Sequence, residues 1–161
     1  MKLINNFIFG LFILYIQILF SHNLAIFGVS PCFLISYLIT ISLRLDYNKA
    51  ISTGFLIALL NDLMYPQLLG LGTISAAIIV FLVHSYQNSI NKEKPSIVFI
   101  SIGLLNLIHL IFFFLYKIMI YEVNDRLVLS SLIFLIYNTV LSTILVYIFY
   151  LTSKIKVSIN A

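Results

Sequence analysis

The sequence predicts an all-α integral membrane protein: one domain over residues 1–161, a bundle of six transmembrane helices with both termini on the cytoplasmic side. Three observations carry this. First, 62% of the residues are hydrophobic and only 9% are charged, and the mean hydropathy is +1.14; a soluble domain carries roughly 25% charged residues. Second, the apolar residues fall into runs near the ~20 residues that a spanning helix needs. Third, the charges sit at the ends of those runs, where membrane orientation is set.

The elements follow in order. No charge occurs between Lys2 and Arg44. Two helices fit there, at about 3–20 and 24–43, divided by Ser21-His22-Asn23. Gly28 and Pro31 lie early in the second, where a proline is tolerated near the first turn. Leu45–Lys49 is the first charged loop. From Ala50 to Asn91 the only charge is Asp62; helices at about 50–64 and 69–86 fit, turned at Tyr65-Pro66-Gln67. Asn91-Lys92-Glu93-Lys94-Pro95 is a polar break before a fifth helix at about 96–116. Lys117–Arg126 forms the longest charged loop, and a sixth helix runs at about 127–151.

Alternating from an inside N-terminus puts Lys2, Arg44, Lys49, Lys92, Lys94, Lys154 and Lys156 inside, and Lys117 and Arg126 outside. That asymmetry is the positive-inside pattern, and merging two neighbouring spans would destroy it. Tyr65, Tyr86, Tyr116, Tyr121, Tyr147 and Tyr150 fall near expected helix ends, as an interfacial aromatic belt requires. The net charge of +4 is therefore a topology signal. No basic patch is interleaved with aromatics, so nucleic acid is not an expected partner; membrane lipid is. Cys32 is the only cysteine, which excludes an intramolecular disulfide. No small-residue cleavage site follows Phe20 and further spans come after it, so the first run is read as a helix and not as a signal peptide.

Few residues could carry chemistry. Asp62 is the only carboxylate inside an apolar run, and a carboxylate at bilayer centre costs roughly 2.5–3.5 kcal/mol on insertion scales. Gly54, Ala58, Asn61, Asp62 and Tyr65 share one helix stripe, and Gly72, Ser75 and Ala76 form a small face on the next helix. Small residues let helices approach closely while polar ones bond across them, so the third and fourth helices are expected to pack through these faces. Asp62 could serve a proton, ion or ligand, but a single carboxylate without a charged partner makes a poor relay, and a bond to the following turn or a neighbouring helix is preferred. Asn106 and His109 in the fifth helix, and Asn138, Thr139 and Ser142 in the sixth, could line a polar cavity or join helices; joining is preferred. No second ligand is spaced to complete a metal site with His109. There is no His-x-x-Glu-His pair, no Gly-x-Ser-x-Gly elbow and no phosphate loop. The sequence predicts no enzyme and no cofactor.

One stretch resembles a known family. Gly54-Phe55-Leu56-Ile57-Ala58-Leu59-Leu60-Asn61-Asp62-Leu63, a short turn, then Leu69-Gly70-Leu71-Gly72 is similar to the signature of the rod shape-determining protein MreD family, close to G-F-x-x-G-L-x-x-D-L, a loop, then L-G. Gly54, Asp62 and Gly70 match, and Ala58 stands at the second glycine. Pro31 fits a proline common early in that family's second helix. The resemblance implies a non-catalytic scaffold subunit of the bacterial cell-wall elongation machinery in the cytoplasmic membrane, acting with an MreC-like protein, MreB, RodA and its transpeptidase partner in peptidoglycan synthesis. It also implies a fold distantly like the substrate-binding subunits of energy-coupling-factor vitamin transporters. Such a subunit is the main alternative, but those proteins usually carry an A-x-x-x-A stripe in the first helix, and Phe7–Tyr15 has none. A small channel or proton-coupled carrier built on Asp62, His109 and Asn138 is the third reading, and the lack of paired charges argues against it.

Overall fold

The computed structural model describes residues 2–64, 70–86, 95–120 and 125–158. These form six helices: α1 (Lys2–Phe20), α2 (Phe33–Arg44), α3 (Tyr47–Met64), α4 (Leu71–Tyr86), α5 (Pro95–Ile120) and α6 (Asp125–Ser158). The expected turn at Tyr65-Pro66-Gln67 and the break at residues 91–94 lie outside the described residues.

The second helix differs most from the expected 24–43. It begins at Phe33 and has 12 residues, because the chain cannot stay helical through residues 21–32. Phe27 and Gly28 both take positive φ, 51° and 78°. They form the two central residues of a tight reversal in which Ile26 and Val29 exchange both backbone hydrogen bonds, at 3.0 and 2.9 Å. Two consecutive left-handed residues end any right-handed helix. Pro31 then biases Ser30 away from helical dihedrals, and α2 starts two residues after it. The other boundaries shift less. α3 starts at Tyr47, which leaves only Leu45 and Asp46 between α2 and α3 in place of the expected loop to Lys49. α4 starts at Leu71, α5 reaches Ile120 and α6 starts at Asp125. Both ends of the expected 117–126 loop are therefore helical, and Tyr147 and Tyr150 lie within α6 instead of near its end.

α2 is the hub. Every residue from Phe33 to Ser42 is buried, and the helix meets α1, α3, α4, α5 and α6. A helix buried on all sides has no outer face for its polar side chains, so these must find partners within the protein. Its hydroxyls are satisfied at short range: Thr40 donates to Ser36 O at 2.8 Å, Ser42 donates to Leu38 O at 2.6 Å, and Ser36 bonds Ser142 of α6 at 3.1 Å. Glycine permits the closest approach to α2. A Cβ on Gly10 would lie 2.7 Å from Tyr37 Cζ and 2.9 Å from Ile57 Cγ1, and one on Gly54 would lie 2.9 Å from Leu38 Cδ2. Phe9 then stacks edge-on against Phe149 at 5.2 Å, tying α1 to α6.

A short helix inside a bundle leaves its N-terminal amides to be satisfied by other elements. Asn138 of α6 accepts from Cys32 N at 2.6 Å, and Gln17 of α1 accepts from Leu34 N at 3.1 Å. Asn138→Leu strands the Cys32 amide in the interior. It is expected to cost roughly 2 kcal/mol, the penalty for one buried unpaired donor, read as a lowered midpoint of detergent-induced unfolding. An unchanged midpoint contradicts the assigned cap.

The helices differ in height. The Arg44 guanidinium bonds the Phe149 carbonyl, so these two residues are level. From there α2 rises 12 residues, about 18 Å, to the Asn138–Cys32 contact. The apolar stretch of α6, Asp125–Phe149, has 25 residues, so about 20 Å of α6 stands beyond the start of α2. α5 likewise continues past the start of α4. The two long helices rise above the ends of the shorter ones and leave a step. Only 17% and 22% of their apolar stretches are buried in the bundle.

Candidate functional site

Gln17, Asn61, Asp62 and His109 gather at that step. Asp62, near the end of α3, is 2% exposed. Its Oδ2 accepts hydrogen bonds from Gly70 N at 3.0 Å, Thr73 N at 2.8 Å and Thr73 Oγ1 at 2.8 Å. The carboxylate therefore caps the first turn of α4, where orphan amides and the helix dipole favour an anion. Gly70 enters that turn at φ 95°, a conformation that costs glycine little. Gly72 lets the carboxylate sit against the helix: a Cβ there would fall onto Asp62 Oδ1 and lie 3.1 Å from Cγ. Farther along the same stripe, Ala58 is fully buried, and Gly54 packs between Leu38 of α2 and Val80 of α4.

His109 of α5 meets α4 beside this cap. Its Nδ1 is 2.9 Å from Ser75 Oγ, which also lies 2.9 Å from Gly72 O. The imidazole stacks on Phe134 at 6.0 Å, and Phe134 stacks on Phe113 at 6.5 Å. Asn106, one turn below, is fully buried and bonds its own helix through Nδ2 to Ile102 O at 2.9 Å. Asn138 bonds the start of α2 and, through Nδ2, Phe134 O at 3.1 Å. The structure thus brings Asp62, Gly70, Gly72 and His109 to one place, puts Asn138 at its border, and leaves Asn106 and Gly54 apart from it. Gln17 also belongs to the group, with a long 3.4 Å contact from Nε2 to Asn61 Oδ1. Sequence reasoning passed over Gln17; its signal is an amide in an otherwise apolar stretch of α1.

The Ser75 hydroxyl beside His109 donates its proton to Gly72 O, and among the described residues there is no group of three or more metal-ligating His, Cys, Asp or Glu side chains. What the arrangement does is fasten helix ends together. The described residues thus define an all-helical protein with two helices long and apolar enough to cross a membrane and with Gln17, Asp62, His109 and Asn138 spent on joining one helix to another. A family model described as rod shape-determining protein MreD matches residues 1–155. The chain belongs to that family, which is membrane-associated and takes part in determining rod shape. No curated protein and no solved structure matches it.

Proposed function

We propose that the chain is a non-catalytic scaffold of the cell-wall elongation machinery, spanning the cytoplasmic membrane six times with both termini inside. The single observation that carries this is the family match over residues 1–155; the physical features agree with it. Seven of the nine Lys and Arg lie at the proposed cytoplasmic ends and orient the bundle with Arg44 inside and Asp62 toward the outer face. α2 is too short to span alone, but α1, α3, α4 and α6 pack around its buried length and shield it from lipid. The exposed faces of α5 and α6, with residues such as Ile100, Leu104, Leu132 and Ile136, give partner helices or lipid an apolar surface at membrane depth.

In this role the protein works by assembly. An MreC-like protein, MreB, and RodA with its transpeptidase partner are the proposed associates, and the rigid joint between α3 and α4 keeps the surface that meets them in one shape. Gentle solubilisation of host membranes followed by affinity purification of the chain should recover an MreC-like protein and wall-synthesis enzymes. Recovery of the chain with none of them contradicts the scaffold function. Co-purification of a transporter ATPase would replace it with the vitamin-transporter reading.

A further inference from the structure

At the foot of the step lies a cavity of about 240 Å³, bordered by Gln17, Asn61, Asp62 and His109 on its polar side and by Phe113 and Phe134 on its aromatic side. Ser21 and Ser30 also line it, and Ser30 is exposed, so the cavity opens beside the loop between α1 and α2. The hydrogen-bond inventory of this lining is uneven. Asp62 Oδ2 takes all three bonds from the start of α4. Asp62 Oδ1, lying over Gly72 where a Cβ would strike it, receives a hydrogen bond from no described residue. The α2 amides at the cavity are already taken by neutral amide oxygens of Gln17 and Asn138, and the His109 Nδ1 is engaged with Ser75. No lysine or arginine is among the lining residues.

Among its described lining residues the cavity therefore holds one carboxylate with an unspent oxygen and no lysine or arginine. A buried carboxylate is stable when a positive group or further donors complete it. The aromatic side suits a cation as well, since ring faces attract ammonium groups within about 6 Å. Phe113 already does this on its own account: Lys117 Nζ lies 5.0 Å from its ring centroid. A guanidinium prefers two carboxylate oxygens for its planar fork, and Asp62 has only one to give; a compact ammonium needs one.

We propose that this cavity binds a primary ammonium group, with Asp62 Oδ1 accepting one of its N–H bonds and the rings of Phe113 and Phe134 covering its alkyl stem. The ammonium can come from a soluble amine or from an ethanolamine lipid headgroup drawn into the step. This goes beyond the scaffold function and does not depend on the identity of its partners.

The test uses the full chain in phosphatidylglycerol nanodiscs, with thermal unfolding followed by loss of helical circular dichroism. Ethylammonium chloride is titrated against sodium chloride at equal ionic strength and against ethanol. Ethylammonium alone should raise the unfolding temperature in a saturable way. Asp62→Asn keeps an oxygen for the start of α4 but removes the charge, and should weaken half-saturation at least tenfold. Ser30→Phe, at an exposed loop position, should block the mouth and abolish the effect while the helix signal is kept; it decides the matter if Asp62→Asn does not fold. Repeating the titration in phosphatidylethanolamine nanodiscs separates the sources: a lost effect identifies the headgroup as occupant, a persisting one a soluble amine. An ethylammonium shift equalled by sodium or ethanol, or one retained in a folded variant of either kind, overturns the proposal.

Discussion

Asp62→Ala is expected to lower the stability of the folded chain by roughly 3 kcal/mol, because it strands the Gly70 and Thr73 amides and the Thr73 hydroxyl at once; a buried unpaired donor costs about 1–3 kcal/mol, and the hydroxyl can turn to another acceptor. The three bonds converge on a single oxygen, so no partial substitute remains when the side chain is cut to a methyl. Asp62→Asn retains an acceptor at the same place and should lose only about 1 kcal/mol. The measurement is the midpoint of detergent-induced unfolding, with the level of protein in host membranes as a second readout. Equal losses for alanine and asparagine would show that the charge, and not the cap, holds the α3–α4 joint. No loss for alanine would remove Asp62 from the joint altogether.

The second large effect is expected at Gly10. Its Cα faces the Tyr37 ring and Ile57, and a Cβ would lie 2.7 Å from Tyr37 Cζ and 2.9 Å from Ile57 Cγ1. Tyr37 and Ile57 are both fully buried, and Tyr37 donates to the Asn6 carbonyl at 2.9 Å. Neither can move away without opening the centre of the bundle, and packed interiors accommodate added methyl groups poorly. Gly10→Val therefore prises α1 from α2 and α3. The expected cost is about 3 kcal/mol or more, at the upper end of the range for overpacking, and Gly10→Ala should cost less. Protease accessibility of α1 in membranes reports the separation directly. A valine variant with wild-type protection and unfolding midpoint would show that α1 does not seat on Tyr37.

The helical class was legible from hydropathy alone, and α1, α3 and α4 lie within a few residues of where the apolar runs place them. The break at residues 21–32 was not. Leu24, Ala25, Ile26, Phe27 and Val29 are as apolar as the helix that follows, so hydropathy reads straight through them. The left-handed pair Phe27-Gly28 keeps this stretch from being helical, and phenylalanine gives no turn signal of the kind asparagine or aspartate would. Pro31 carried part of the signal but was read as tolerated inside a first turn. The helix extensions at 117–120 and 125–126 were hidden for a different reason: charged residues at a helix end look the same in sequence as charged residues in a loop.

The site was legible by residue type more than by geometry. Asp62 stands out as a lone carboxylate in an apolar run, and Gly72 as a small residue just beyond the turn. That Gly72 must be small because Asp62 lies on it is a fact of three dimensions. The pairing of Gln17 with Leu34, and of Asn138 with Cys32, follows from α2 being short, so it could not be deduced while α2 was taken as a full span. His109 meets Ser75 across 34 residues of sequence, and nothing local to either one points to the other.

In the proposed function this chain serves rod shape through assembly in the wall elongation machinery. Depletion in its host, with lateral wall insertion followed by a fluorescent wall precursor, tests it most directly. Cells should round up and lateral labelling should fall; Asp62→Asn should restore both, and Asp62→Ala only in proportion to the folded protein that survives. Depleted cells that stay rod-shaped and label along their length at the normal rate would contradict it.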